Sequence, residues 1–502
     1  MNGNLAFGAG SFYLVEISPT AADRTNVTGT ATLSGAVLAS FAPGSYIARQ
    51  YMILSAAGGL GGATFASLGG IPAGFAADLS YGANDVFLNL SAALGLSSAL
   101  SRNERNVANA INGYFNNGRA LPPNFYALFG LTGANLATAL TQLSGEAATG
   151  AQYGAFQLTN QFFSMMLDPL VYGGAGMVGG GGAGFAPGGG PLRLAAEETQ
   201  APEIALAYAM ALKAPPAPAV LPERRWSVWA GGFGGTNRTQ GDPVGVGSHD
   251  VSARAGGYAG GLDYRIGAGT TVGLALAGGF TNWSLANGLG GGNSDAFQAA
   301  LYGVTRFGPA YLAGALAFAE HWMATDRHAF LRDHLTARFD AESWGGRLEG
   351  GWRFATVLGG IAPYAAVQAQ SFRTPAYSET DATGGGFGLA YNARNASDTR
   401  SELGARFDHK LPLADMALLA LHARAAWAHD WVSDPALTAA FQTLPGASFI
   451  VNGAAPVPNS ALLSAGGELR FLNGWALGAR FDGEFANRAE TYAGTGTLRY
   501  AW

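Results

Sequence analysis

The stretch Thr497-Leu498-Arg499-Tyr500-Ala501-Trp502 decides the fold. Read as a strand, it places Leu498, Tyr500 and Trp502 on one side of a sheet and Thr497, Arg499 and Ala501 on the other. An apolar face opposite an arginine-bearing one is what a wall between lipid and water requires. Because the alternation runs to the last residue and ends on an aromatic, the terminus is expected to serve as a structural strand.

Working back from there, the same pattern recurs. From Trp475, the residues Trp475, Leu477, Ala479, Phe481 and Phe485 oppose Arg480, Asp482 and Glu484. Trp344, Leu348, Trp352 and Phe354 oppose Ser343, Arg347, Glu349 and Arg353, and Leu403, Ala405 and Phe407 oppose Glu402, Arg406 and Asp408. The polar face of a β-sandwich meets bulk water and tends to be rich in lysine. Here it carries arginine and carboxylates in comparable numbers, which suits a lumen where opposite charges pair across neighbouring strands. The residues expected to line it are Arg347, Glu349, Arg353, Glu402, Arg406, Arg424, Glu468, Arg470, Arg480 and Glu484.

Segments of strand length between turn signals begin at 226, 251, 270, 294, 309, 335, 362, 398, 417, 459, 475 and 491. The fold class is therefore all-β dominated: an antiparallel transmembrane β-barrel of about 12 strands, preceded by a β-solenoid-like part and a short helical segment. The stretch from Leu437 to Val451 is assigned to a loop, a hairpin there being the alternative. About eight strands are just filled by their own side chains, so about twelve leave room for one helix.

Composition agrees. Charged residues make up 12% of the 502, roughly half the usual share, while 76 glycines and 29 phenylalanines favour strands, turns and aromatic packing. No uninterrupted apolar run of about 18 residues occurs, so a helical membrane span is not expected. A net charge of -5 without any Lys/Arg-rich block argues against a nucleic-acid partner. The absence of cysteine excludes disulfides, zinc-thiolate sites and cysteine catalysis, and fits a chain that crosses an oxidising compartment. Met1-Asn2-Gly3-Asn4 lacks the charged and apolar regions of a secretory signal, so the chain is expected to be the C-terminal part of a larger precursor, the alternative being a protein that is not exported.

Upstream of the barrel the chain divides into three zones. Residues 1–95 hold short extended runs, among them 11–17, 28–33 and 85–90, punctuated by glycine; a solenoid is preferred there over a sandwich. Residues 96–172 turn helical, with Val107, Ala110, Ile111 and Tyr114 on one face and Leu136, Leu140 and Leu143 on another, both read as core stripes. Residues 173–225 begin as a glycine-rich linker and include a short helix, Ala201 to Lys213, closed by Pro215-Pro216. Residues 226–502 are the barrel.

These features together resemble a monomeric autotransporter of the type V secretion family. The resemblance is carried by Trp226-Ser227-Val228-Trp229-Ala230-Gly231-Gly232, Gly260-Gly261-Leu262-Asp263-Tyr264, Ala426-Trp427-Ala428-His429-Asp430 and the final Trp502. Upstream, Gln142-Leu143-Ser144-Gly145-Glu146 resembles the family's segment between passenger and barrel. The resemblance implies a translocator in the Gram-negative outer membrane that exports and anchors its own N-terminal passenger at the cell surface. Its partners would be outer-membrane lipid, periplasmic chaperones, the barrel-assembly machinery and the passenger itself. Leu498, Tyr500 and Trp502 would belong to the assembly signal, although Gly494 and Gly496 stand where the family usually has apolar residues. Residues 201–213, with Glu203, Ile204, Leu206, Tyr208 and Leu212, would form the helix in the pore.

Signatures of catalysis are missing: there is no His-Glu-x-x-His, Gly-x-Ser-x-Gly or phosphate-loop motif. No enzyme activity, cofactor or metal is expected. His321, His328 and His334 lack ligand spacing and are assigned to a loop and its strand ends. Asn116-Asn117 reads as a helix-ending turn rather than a cleavage site. Two other functions fit the same residues: a porin-like channel, or the membrane anchor of an adhesin or enzyme lying upstream.

Overall fold

A computed structural model of the chain describes residues 1–44, 46, 49–96, 98–173, 224–267, 269–413 and 417–502. The first part consists of short strands: β1 (Leu5–Ala6), β2 (Phe12–Ile17), β3 (Thr25–Val27), β4 (Ala31–Thr32), β5 (Ala36–Phe41), β6 (Gln50–Ala56), β7 (Ser67–Gly69), β8 (Phe75–Tyr81) and β9 (Asp85–Ala92). β1 pairs β4, β2 pairs β5, β5 pairs β7 and β3 pairs β6, all in parallel. Successive turns of chain therefore stack in one direction, as in a solenoid; a sandwich would pair them antiparallel. The antiparallel run β6-β9-β8 ends the stack. Val15, Ile17, Val37, Ile53, Leu54, Val86 and Leu88 fill its interior.

Four helices follow: α1 (Arg102–Asn116), α2 (Pro123–Tyr126), α3 (Gly133–Leu143) and α4 (Ala151–Gly173). Ser101 and Glu104 start α1 as a reciprocal pair, the Glu104 carboxylate accepting the Ser101 N–H at 2.6 Å and the Ser101 hydroxyl accepting the Glu104 N–H. The helix ends at Asn116, whose side chain turns back to bond the backbone of Ala92 at 2.8 and 3.0 Å. Val107, Ile111, Leu136, Leu140 and Leu143 are buried.

The remaining elements are β10 (Trp226–Thr239), β11 (Val251–Arg265), β12 (Thr270–Leu285), β13 (Gly291–Phe307), β14 (Ala310–His328), β15 (His334–Trp352), β16 (Phe354–Thr356) and β17 (Gly359–Thr374). Then come β18 (Tyr377–Ser378), β19 (Thr380–Asp381), β20 (Leu389–Tyr391), β21 (Arg394–Leu413), β22 (Ala417–Val432), β23 (Ala436–Phe441), β24 (Ser448–Asn452), β25 (Asn459–Phe471), β26 (Trp475–Phe485) and β27 (Ala489–Ala501). Twelve of these close an antiparallel barrel in the order β10 to β15, β17, β21, β22, β25, β26, β27 and back to β10. The seam runs from Ser227 opposite Ala501 to Thr239 opposite Ala489. β13, β17 and β21 start at Gly291, Gly359 and Arg394, a few residues before the expected 294, 362 and 398. Their first residues are glycine or polar, so the hydrogen-bonded ladder begins before the hydrophobic alternation does.

Leu274, Leu301, Leu316, Leu348 and Val367 stand exposed on the outer wall. Aromatic residues flank this apolar band at both ends: Trp226 packs on Tyr264 and Trp475 on Tyr500, with ring centroids 4.5 and 4.8 Å apart, and Trp322, Trp344, Trp427 and Trp431 lie exposed toward the other end. The arrangement is that of a membrane wall between two interfaces.

One barrel end has short turns, such as 308–309 and 472–474; the other carries long connections. Two of the long connections build a second sheet, β18-β20-β23-β24. The stretch from Leu437 to Val451 is thus a hairpin and not a loop. Its alternation serves a protein interface: Leu437, Ala439, Phe441, Phe449 and Val451 are buried in one core with α1–α3 and the solenoid. Phe125 of α2 sits between Phe387 and Phe441, at centroid distances of 4.8 and 5.2 Å.

Candidate functional site, the occupied lumen

α4 runs down the inside of the barrel. Near its start Ala147 O accepts the Trp283 indole N–H at the long-loop end; near its finish Val171 O accepts from Arg306 at 3.0 Å at the short-turn end. Its 23 residues span about 34 Å at about 1.5 Å each, slightly more than a hydrocarbon core. Among the described residues no helix is long and apolar enough to cross a membrane directly. α4 is surrounded by strands.

Two unlike walls hold it. Along β11 to β14 and β17 the inward positions are mostly alanine (Ala255, Ala259, Ala275, Ala277, Ala296, Ala313, Ala315, Ala366), and Leu158, Phe162, Phe163, Met165, Met166 and Leu170 of α4 pack there. Small inward side chains make the room that the helix takes. At Gly154 the approach is so close that a Cβ would come within 2.8 Å of Thr281.

The other face of α4 carries Gln157, Gln161, Ser164 and Asp168, spaced three to four residues apart. The first three of these look toward β21, β22, β25, β26 and β27 across a cavity of about 190 Å³, lined also by Arg347, Arg400, Arg424 and Arg480. Asn160 Oδ1 accepts from Gln368 at 2.5 Å and Gln370 at 2.8 Å. Asp168 is paired with Arg406 at 2.8 Å and with Arg480. From these the network spreads along the wall. Arg406 holds Glu349 through two bonds of 2.7 and 2.8 Å; Arg347 holds Glu402 at 2.7 and 2.8 Å and Glu349 at 2.9 Å. Arg400 joins Asp430 and Glu484, each at 2.6 Å. The arginine face of Arg406 also lies over the rings of Tyr172 and Tyr364, at 4.9 and 4.8 Å.

The residues expected to line the lumen fall into three groups. Arg347, Glu349, Glu402, Arg406, Arg424, Arg480 and Glu484 belong to this network, Arg424 lying 3.8 Å from Glu402 and 3.7 Å from Asp482. Glu468 and Arg470 pair with each other nearer the short-turn end. Arg353 pairs with Asp408 at 2.7 Å but is 45% exposed, just beyond the end of β15. Leu498, Tyr500 and Trp502 face away from the lumen together with Gly494 and Gly496, while Arg499 points inward to Asp263. Residues 201–213, expected as the pore helix, lie outside the described residues.

His321 is buried against Ser343 at 2.8 Å; His328 stacks on His334, which bonds Asp326. Among the described residues no three His, Asp or Glu side chains come together as a metal site.

Three contributors were missed by reading the sequence. Arg400 lies two residues from Glu402 and so shares its face, a signal that was there to use. Asp168 is the one charge in 23 residues of α4, a lone carboxylate in an apolar helix. Asn160 offers no signal of its own.

The autotransporter β-domain family model matches residues 228–482. Solved structures resemble the chain at low identity. The translocator domain of the autotransporter NalP from Neisseria meningitidis has TM-score 0.45 at 16% identity, covering 60% of this chain and 94% of its own. The β-domain of the Bordetella autotransporter BrkA has TM-score 0.42 at 18% identity, covering 55% and 100%. The transport unit of AIDA-I from Escherichia coli has TM-score 0.37 at 12% identity, covering 59% and 97%. No curated protein matches the chain.

Proposed function

We propose, from the premise that this chain belongs to the autotransporter family, that residues 1–150 left the cell through the lumen now occupied by α4 and stay anchored at the surface. The barrel itself is an outer-membrane translocator, a transport domain and not a catalyst. One observation carries the proposal: a helix inside a closed barrel is continuous with a folded part seated on the long-loop end. A porin-like channel needs an open lumen, and the occupied one speaks against it.

The mechanism asks for three things of these residues. Lipid offers no hydrogen bonds, so the wall must be closed, and the β10–β27 seam supplies closure. In the reading offered here Leu498, Tyr500 and Trp502 present the outward face of β27 to the assembly machinery, with chaperones keeping the chain unfolded beforehand. The lumen must let an unfolded chain pass; on one side arginine and carboxylate pairs present polar groups to a moving backbone, and on the other the inward side chains of β11 to β14 are mostly alanines, small enough to leave it room. Outward direction comes from folding outside. Burying one side chain such as Phe115 or Phe125 is worth about 1.5–3 kcal/mol, so each large residue that folds at the surface biases the chain about tenfold or more against return.

On this division residues 1–95 are the end of a passenger, 96–150 its base, α4 the pore helix, 173–225 the linker and 226–502 the barrel. Whatever work the passenger does is separate from the barrel. Protease added to intact cells tests the proposal: residues 1–150 should be cut while the barrel with α4 survives. Protection of the N-terminal part until the outer membrane is permeabilised would place it in the periplasm and refute the reading.

A further inference from the structure

Between the folded N-terminal part and α4, residues 142–153 pass through the long-loop mouth. Eight consecutive residues, Leu143 to Gly150, are buried, although Glu146–Gly150 form only a 3-10 turn. So much irregular backbone under cover needs partners from elsewhere. The barrel supplies them from separate elements. Arg327 at the end of β14 donates to Gln142 O at 2.9 Å while its other nitrogens hold Glu379 at 2.6 and 2.7 Å. The Tyr391 hydroxyl in β20 lies 3.2 Å from Gly145 O, and Trp283 in β12 donates to Ala147 O at 2.8 Å. The Glu146 carboxylate takes the His249 N–H at 2.6 Å and lies 2.7 Å from its ring nitrogen. Arg394 in β21 donates to Gln152 at 2.8 Å, and Tyr153 donates to Ala454 O.

Three of these donors read backbone carbonyls and would accept any sequence. The seats around them would not. Gly145 has φ +71, and a Cβ there would lie 2.3 Å from the Tyr391 hydroxyl and 2.5 Å from Leu389. A Cβ on Gly150 would lie 2.2 Å from the Trp283 ring. A segment seats only with glycine at both positions and a carboxylate beside the first. Further down the lumen, Asp168 meets Arg406 and Arg480. A slip of one residue moves a helical side chain about 1.5 Å along the axis and about 100° around it, so both seats are filled in one register alone.

We propose that the barrel mouth is a register stop for its own chain: the collar of Trp283, Arg327, Tyr391 and His249 recognises Gly145-Glu146 and Gly150 and arrests outward passage with α4 in the lumen. This rests on the outward passage proposed above.

The chain has no cysteine, so register can be read by a thiol cross-link in the full chain on intact cells. Asn160→Cys with Gln368→Cys joins two side chains now in contact, and an N-terminal epitope reports surface exposure independently. The parent should cross-link efficiently with its epitope exposed. Gly150→Val should keep the epitope exposed, lower the yield about tenfold and raise it for a cysteine one turn away at Phe156 or Ser164. Should Gly150→Val fail to form a heat-resistant barrel, Trp283→Phe combined with Glu146→Gln removes two collar bonds without adding bulk. Collar variants with exposed epitopes and an unchanged 160–368 yield would overturn the register stop. A parent whose epitope is never exposed would instead sink the outward-passage reading on which it stands.

Discussion

Replacing Asp168 by alanine removes the only charge α4 brings to the lumen, and the cost can be worked from its contacts. The carboxylate is buried and pairs with Arg406 at 2.8 Å and with Arg480. Hydrogen bonds to charged groups are worth about 1.5–3 kcal/mol each, and breaking a buried ion pair by deleting one partner costs about 3–5 kcal/mol. Neither arginine is stranded, however. Arg406 keeps its two bonds to Glu349 and Arg480 keeps Asp482 at 2.8 Å, which places the loss near the bottom of that range, about 3 kcal/mol. That corresponds to a shift of about a hundredfold in the balance between helix in and helix out of the lumen. Asp168→Asn, which keeps one acceptor oxygen, should move it by about tenfold. The purified full chain in planar bilayers gives the readout: the fraction of time spent in an open, ion-conducting state should rise in that order from parent to asparagine to alanine. If the alanine variant opened no more often than the parent, the Asp168 latch would be wrong, and the apolar wall alone would hold α4.

Deleting residues 489–502 should abolish barrel formation altogether, because it leaves both β10 and β26 with open edges in lipid; a heat-modifiable band in the shortened chain would contradict this. Phe125→Ala should loosen the N-terminal part by about 3–5 kcal/mol, since it empties the space between Phe387 and Phe441, and should lower that part's melting temperature while the barrel stays intact. The collar should also depend on pH. The bond to Glu146 raises the His249 pKa above its ordinary 6.5, and burial raises that of Glu146, with Glu104 and Asp250 adding further negative charge nearby. A proton held more tightly in the folded state stabilises fully below 6.5 and is lost as pH rises through the elevated value. Hydrogen exchange at residues 142–150 should therefore quicken as pH climbs beyond the intrinsic base-catalysed trend, and His249→Gln should remove that excess; an excess that persists in the variant would rule the pair out.

The barrel was legible because lipid and lumen impose opposite demands on alternate residues for hundreds of positions, so that Trp475 to Phe485 already announces which side is which. The lumen charges were legible for the same reason, Arg347 with Glu349 and Glu402 with Arg406 standing two or four residues apart on one face. The occupant of the lumen was not. α4 presents Leu158, Phe162, Met166 and Leu170 as any core helix does, and nothing local distinguishes a core made of its neighbours from a barrel closing around it. Nor was the mouth legible: Arg327 meets Glu379 and Gln142 only after the barrel has brought three distant segments together. The second sheet was hidden because its short strands derive their pairing from the helices they cover, with Phe441 and Phe449 turned toward protein instead of lipid.

The seam between β10 and β27 has one more consequence. It turns the barrel into a ring, and α4 is a rod through that ring while belonging to the same covalent chain. On the long-loop side the rod ends in a solid head of solenoid and helices far wider than the single helix that fills the hole. Such an object is interlocked in the manner of a bead that cannot pass its stopper: with Asp168, the collar and every other contact gone, the head still could not be drawn back without being unfolded or the ring broken. Retention of the N-terminal part is therefore a matter of topology as well as affinity, and such an object can be made in two ways only: the head takes its shape after the rod lies in the ring, or the ring closes around the rod.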